Sequence, residues 1–160
     1  MGDTTMVEHK LFTMTVIEND GHILLMKRPS EKGYPGYLAP GGKVDFPESI
    51  LDCAIREVKE ETGLLVSNLV YKGIDEYVNE QGNVRYMVFN YWTNSFSGKL
   101  LDNPPEGELE WVAKENATSL PMQDWFKQRL PYFFKEGTFE IHVKWNEEKK
   151  KIDETLIRAT

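Results

Sequence analysis

Three glutamates, Glu57, Glu60 and Glu61, fall in one short run, Arg56-Glu57-Val58-Lys59-Glu60-Glu61-Thr62-Gly63. On a helix, residues three and four apart share a face, so these carboxylates crowd together. Like charges at that spacing repel by about a few tenths of a kcal/mol each. A hard divalent cation turns the repulsion into a binding site. Carboxylate oxygens suit Mg²⁺ or Mn²⁺, and Mg²⁺ takes carboxylates together with substrate phosphates. The chemistry this allows is metal-assisted substitution at phosphorus, in which phosphate charge is neutralised and the pKa of a bound water is lowered. Upstream, Lys27, Arg28, Lys32 and Lys43 face a single Glu31 over the stretch they span. A basic loop beside an acidic helix can hold a phosphate chain from both sides. The competing reading of the same residues is a solvated acidic helix face beside ordinary mixed surface charge.

The elements that must position these groups are legible in part. Residues 47–62 read as a helix, with Pro47 in the first turn and Gly63 as the stop. Ile50, Leu51, Ala54, Ile55 and Val58 form its apolar stripe, and the glutamates occupy the adjoining arc, at the edge of a cleft. Lys10–Ile17 and His22–Lys27 read as strands joined by a hairpin turn through Asp20-Gly21. The segment 28–42, with three prolines and four glycines, reads as a loop. Strands follow at 64–78 and 84–93, another at 96–101, then a Pro-rich loop at 103–107 and a short strand at 109–113. Residues 120–135 read as a second helix burying Trp125, Phe126, Leu130, Phe133 and Phe134. A closing hairpin spans 138–145 and 151–157. The mixture, without regular βαβ alternation, is α+β.

The chain has 160 residues, enough for one domain, 1–160, with a real core. Its net charge of −7 argues against a nucleic-acid binder, which needs clustered Lys and Arg. The Lys149-Lys150-Lys151 run lies beside Glu147 and Glu148 and reads as a solvated hairpin tip. No apolar run suggests a membrane span, and Met1–Lys10 has no apolar leader after a basic start. A lone Cys53 forms no internal disulfide and no Cys-based zinc cluster, which fits a reducing, cytoplasmic setting. A homodimer is allowed by the sequence but supported by no feature of it.

The segment 42–64, GKVDFPESILDCAIREVKEETGL, resembles the Nudix box at every constrained position. Five residues separate Gly42 from Glu48 and seven separate Glu48 from Arg56, after which Glu57, Glu60, Glu61, Gly63 and the apolar Leu64 follow in register. Seven positions fixed in type have chance odds on the order of 10⁻⁸ at a given start. The order of elements around the box is similar to Nudix proteins too, and implies an α/β/α sandwich on a mixed sheet. More narrowly, the Pro-rich loop before Trp111 and the aromatic tail look like the MutT and MutX group, whose members clean oxidised nucleotides such as 8-oxo-dGTP.

The resemblance implies roles residue by residue. Glu57, Glu60 and Glu61 would be catalytic metal ligands, joined by the Gly41 carbonyl and by Glu106, a ligand or general base with Glu110 in reserve. Arg56 would orient a carboxylate through its planar fork, and Glu48 would serve the helix terminus or the metal site. Arg28 and Lys43 would steady substrate phosphates. Tyr37 and Leu38 stand where the base is read. Some 8-oxo-purine hydrolases carry Asn where this chain has Leu38, and Leu makes no such hydrogen bond. Tyr37, Tyr77, Phe89 and Trp111 are stacking candidates, each equally at home in a core. The implied reaction is hydrolysis of a nucleoside triphosphate, oxidised or not, to a monophosphate and pyrophosphate. Its rivals are ADP-ribose, a dinucleotide polyphosphate, a nucleotide sugar or coenzyme A as substrate, or a silent nucleotide sensor.

Overall fold

The computed structural model describes residues 6–160. The leader reading of 1–10 therefore lies partly outside the described residues. The chain opens with β1 (Glu8–Asn19) and β2 (His22–Arg28), joined at Asp20-Gly21. Both turn residues have positive φ, 51° and 74°, the geometry whose twist matches the flanking strands. Within the proline- and glycine-rich stretch lie two short strands, β3 (Gly36–Leu38) and β4 (Gly41–Lys43), where the sequence suggests only loop. Next come α1 (Ile50–Thr62), β5 (Leu64–Ser67), β6 (Val70–Asn79), β7 (Val84–Thr93), β8 (Ser95–Gly98) and β9 (Glu108–Ala113). The chain ends with α2 (Asp124–Arg129), β10 (Phe139–Asn146) and β11 (Lys151–Ala159).

Among the described residues, nine strands join in the order β11-β10-β6-β7-β1-β2-β3, with β4 added to β1 and β9 to β2; β5 and β8 pair separately. β1 is the hub. Its middle pairs with β4 (Met14 opposite Gly41), nearly its whole length runs parallel to β7, and its last residues turn into β2. Side chains alternate across this strand, so its two faces meet different partners. Met14 and Val16 join the core built with Phe126, Leu130 and Phe133, on the α2 side. Ile17 joins Val58, Leu64 and Val66 on the α1 side. A mixed sheet thus lies between two helical layers, and the α+β, α/β/α expectation holds.

Four local expectations are corrected. Helix α1 begins at Ile50 with Ser49 as its cap, whose side chain accepts from Asp52 N–H at 3.0 Å, so Pro47 lies in the preceding turn. Leu51 is 44% exposed, and the buried arc runs through Cys53, Ala54, Val58 and Glu61 instead. The strand expected over 64–78 breaks at Asn68, which takes φ of 52°. The helix expected over 120–135 is α2 followed by a 3-10 turn over Leu130–Phe134, because Pro131 supplies no N–H to continue the ladder. That break leaves Phe126, Leu130 and Phe133 buried but turns Trp125 outward. No described helix is long and apolar enough to cross a membrane.

Candidate active site

The turn from β4 into α1 folds back on the helix it feeds. Gly41 N–H donates to Glu61 at 3.2 Å. Gly42 lies against Glu57 so closely that a Cβ there would be 2.4 Å from the Glu57 carboxyl carbon. Glu61 is 7% exposed, and its burial is the first reason its pKa rises to about 8. The Gly41 N–H opposes that rise, while the neighbouring charges of Glu57 and Glu106 add to it. Glu57 is raised too, by burial first, against the pull of Arg56. Each carboxyl acts on the other, and the Glu57 charge adds to the rise at Glu61. A pair of carboxyls pressed together in a half-dry pocket is the donor set that a divalent cation satisfies better than a proton does.

Arg56 holds this arrangement. Its Nε and Nη2 form a fork on Glu48, at 3.0 and 2.6 Å, and Nη2 also donates to the Lys43 carbonyl at 3.1 Å. Nη1 donates to Glu57 at 2.9 Å and to Glu60 at 3.2 Å. The fork, with the Asp45 N–H, holds Glu48 down at a pKa of about 2. Glu48 therefore anchors Arg56, and Arg56 aims Glu57. A lysine cannot reproduce the fork. Arg56→Lys is expected to lower kcat/KM by roughly ten- to a hundredfold and to weaken the Mg²⁺ requirement's half-saturation in parallel. Initial rates across a magnesium titration check both.

The predicted residues do not all converge. Glu57 and Glu61 act on each other; Glu60 points outward, its side chain 57% exposed, and among the described residues its ion pair is with Arg56. Glu106 acts electrically on Glu61 and pairs with Arg28 at 3.6 Å. Arg28 also donates to the Lys32 carbonyl at 2.7 Å and lies over the Tyr34 ring. Glu110 is turned aside as acceptor for the Tyr37 hydroxyl at 2.8 Å. Leu38 packs on the α2-side core. Lys43 contributes its carbonyl to Arg56, while its register opposite Phe12 puts its side chain on the α2 face. Among the described residues no three His, Cys, Asp or Glu side chains form a ready cluster, so carbonyl, water or substrate oxygens must complete any metal shell.

One feature escapes sequence reading. Phe12, Tyr86, Tyr77 and Trp145, from four different strands, line up on the α2 face. Phe12 stacks on Tyr86 at 6.2 Å, Tyr86 meets Tyr77 edge-on at 6.3 Å, and Tyr77 stacks on Trp145 at 6.0 Å. All four rings are half-buried, and Lys10 caps Tyr86 at 5.3 Å. Of the stacking candidates, Tyr77 belongs to this row, whereas Trp111 packs on Phe96 in the α1-side core. The row depends on strand register, which no local signal announces.

Residues 8–133 match the NUDIX domain family. This chain belongs to the Nudix hydrolase family. Curated relatives within it include an uncharacterized Nudix hydrolase of Bacillus subtilis, YvcI, 33% identical over 69% of this chain and 70% of the relative. A Methanocaldococcus jannaschii protein named ADP-ribose pyrophosphatase is 38% identical over 66% of this chain and 62% of its own length. The CTP pyrophosphohydrolase of Escherichia coli is 32% identical over 67% and 78%. Among solved structures, the mutator MutT protein of Bacillus halodurans superposes with a TM-score of 0.79 at 27% identity, covering 92% of this chain and 97% of that one. Nudix enzymes act on small nucleotide-like molecules and generally use a divalent metal such as Mg²⁺, which the Glu57–Glu61 pair suits.

Proposed function

We infer that this chain hydrolyses the diphosphate linkage of a nucleoside triphosphate, releasing a nucleoside monophosphate and pyrophosphate. The observation that carries this is the Glu57–Glu61 pair, pressed against Gly41 and Gly42 and faced by Glu106 and Arg28. Glu57, Glu61 and the Gly41 carbonyl would hold Mg²⁺ or Mn²⁺, with the outward Glu60 as a further ligand and Glu106 kept as the base. The cation, when bound, neutralises phosphate charge and acidifies water. The protein's own groups do the rest. Arg28, freed from Glu106, holds phosphate oxygens, whereas the Lys43 side chain lies on the other face of the sheet and contributes its carbonyl to Arg56 instead. Glu106 then takes the proton of the attacking water. Arg56, fixed by Glu48, keeps Glu57 aimed.

The base is held by stacking more than by edge reading. Leu38 offers it no hydrogen bond. Tyr37, beside Leu38 on β3 and half-buried, offers ring surface. A site of this kind tolerates different bases. Unmodified and 8-oxo dNTPs are therefore expected to differ in kcat/KM by less than about a hundredfold, the ratio that one edge-reading polar group would exceed. Pyrophosphate release from a substrate panel, with Mg²⁺ and with EDTA, tests the reading. A kcat/KM above ~10⁴ M⁻¹s⁻¹ on a triphosphate, abolished by EDTA, supports it. A hydrolysis confined to ADP-ribose, the substrate named for the M. jannaschii relative, overturns it.

A further inference from the structure

Strand β6 carries one residue more than its neighbour β7. Tyr71 faces Tyr91 and Gly73 faces Asn90, which leaves Lys72 as the extra residue of a bulge. Bulges re-aim the side chain they insert. Gly73 makes room for this one: at φ of 139°, a Cβ there would lie 2.0 Å from the Phe139 carbonyl oxygen. Lys72 is consequently buried, 7% exposed, and its ammonium donates to the Lys135 carbonyl at 2.5 Å. Among the described residues no carboxylate lies within 4.0 Å of it. The ammonium itself is only part-buried, and beside the Lys135 carbonyl it keeps two further donors for a partner.

These donors border a solvent-open groove of about 380 Å³. Lys72, Lys114 and Lys135 line it beside the rings of Trp92 and Phe134. Of its two carboxylates, Glu18 is already used: Trp92 Nε1 donates to one oxygen at 3.1 Å and Lys114 to the other at 2.8 Å. Of the lining carboxylates Glu136 remains beside Lys72 and Lys135, and the Lys135 ammonium rests over the Tyr132 ring at 4.5 Å. The groove is not the Glu57–Glu61 cleft. Glu18 lies four residues along β1 from Met14, which pairs with Gly41, and four extended residues span roughly 13 Å.

We propose that this groove is a second ligand site, for a nucleoside monophosphate. Its phosphate sits on Lys72 and Lys135, and its base lies on Trp92 and Phe134. The assignment does not depend on which nucleotide the Glu57–Glu61 cleft cleaves. Isothermal titration with AMP, adenosine and inorganic phosphate, in EDTA so that the metal-dependent cleft is silent, tests it. AMP is expected to saturate with Kd below ~1 mM, with phosphate and adenosine each weaker. Lys72→Met and Lys135→Glu are expected to weaken AMP at least about tenfold, the worth of one charged hydrogen bond, while turnover in the cleft stays near normal. Lys135 is exposed, so its variant carries the test if Lys72→Met does not fold. The proposal fails if AMP does not saturate by ~10 mM. It fails equally if both variants bind AMP as the parent does, or if phosphate alone binds as tightly as AMP.

Discussion

Glu57→Gln and Glu61→Gln are each expected to cut turnover by at least about a hundredfold, because each removes a charge from the site that holds the cation. The two substitutions leave shape intact, and the Glu61 variant carries a second signature. The folded protein holds the Glu61 pKa up at about 8, above that of an exposed glutamate. A carboxyl raised on folding favours the folded state most when it is protonated. Its contribution is therefore full below the unfolded pKa and is lost as pH rises through about 8. In EDTA at pH 8.5 the ionised Glu61 opposes folding, and a neutral glutamine does not. The variant's Tm should then exceed the parent's by roughly 3 °C or more at pH 8.5, and the gap should close by pH 5. Melting curves at both pH values and steady-state rates with Mg²⁺ check the pair of effects. A variant that loses activity together with stability at pH 8.5 has lost the fold, and the assignment of Glu61 to the cation falls with it.

Gly42→Ala should remove most of the activity and little of the stability. Its new Cβ would meet the Glu57 carboxyl, at 2.4–2.5 Å. That carboxyl is the free end of a flexible side chain, so it swings away and the backbone stays. Misplacing a positioned group by about 1 Å costs on the order of a hundredfold in rate. The adjacent Gly41→Ala makes the contrast. Its Cβ would lie 2.0 Å from the Thr13 carbonyl oxygen, part of the β1 backbone, which cannot swing away. Gly41→Ala is expected to destabilise the sheet itself and to express poorly, whereas Gly42→Ala stays folded with rates down about a hundredfold. Circular dichroism melts and rates on the two proteins separate these outcomes, and equal activity of Gly42→Ala and parent would show that Glu57 has no fixed role.

What could be read before the structure was what local chemistry governs. The Asp20-Gly21 turn, the helix stop at Gly63 and the carboxylate face of α1 each depend on residues a few positions apart. The misreadings have local causes that a second signal outweighed. Ser49 captures the helix start from Pro47, Asn68 breaks a strand that looks continuous, and Pro131 stops α2 within two turns. Arg56 as a carboxylate-orienting fork was legible by type, but not its choice of Glu48 as anchor. The depth of Glu61 was not legible, because it depends on where β4 returns. Nor were the Phe12–Trp145 row or the groove at Lys72, which come from the register and bulge of strands far apart in sequence.

Strand β1 has a consequence for how the chain is made. It leaves the ribosome well before the partner along nearly its whole length, β7, with Glu8 beside Val84 and Ile17 beside Thr93. β6 likewise waits for β10. Parallel pairings between distant segments close their loops before any contact repays the entropy, which slows folding toward milliseconds to seconds. At ~5–20 residues per second, a ribosome spends several seconds between releasing β1 and releasing β7. Through that interval the nascent β1–β2 hairpin exposes Val16, Ile17, Leu24 and Leu25, which the finished protein buries completely. The β1–β2 hairpin is therefore the segment that chaperones are expected to meet during translation.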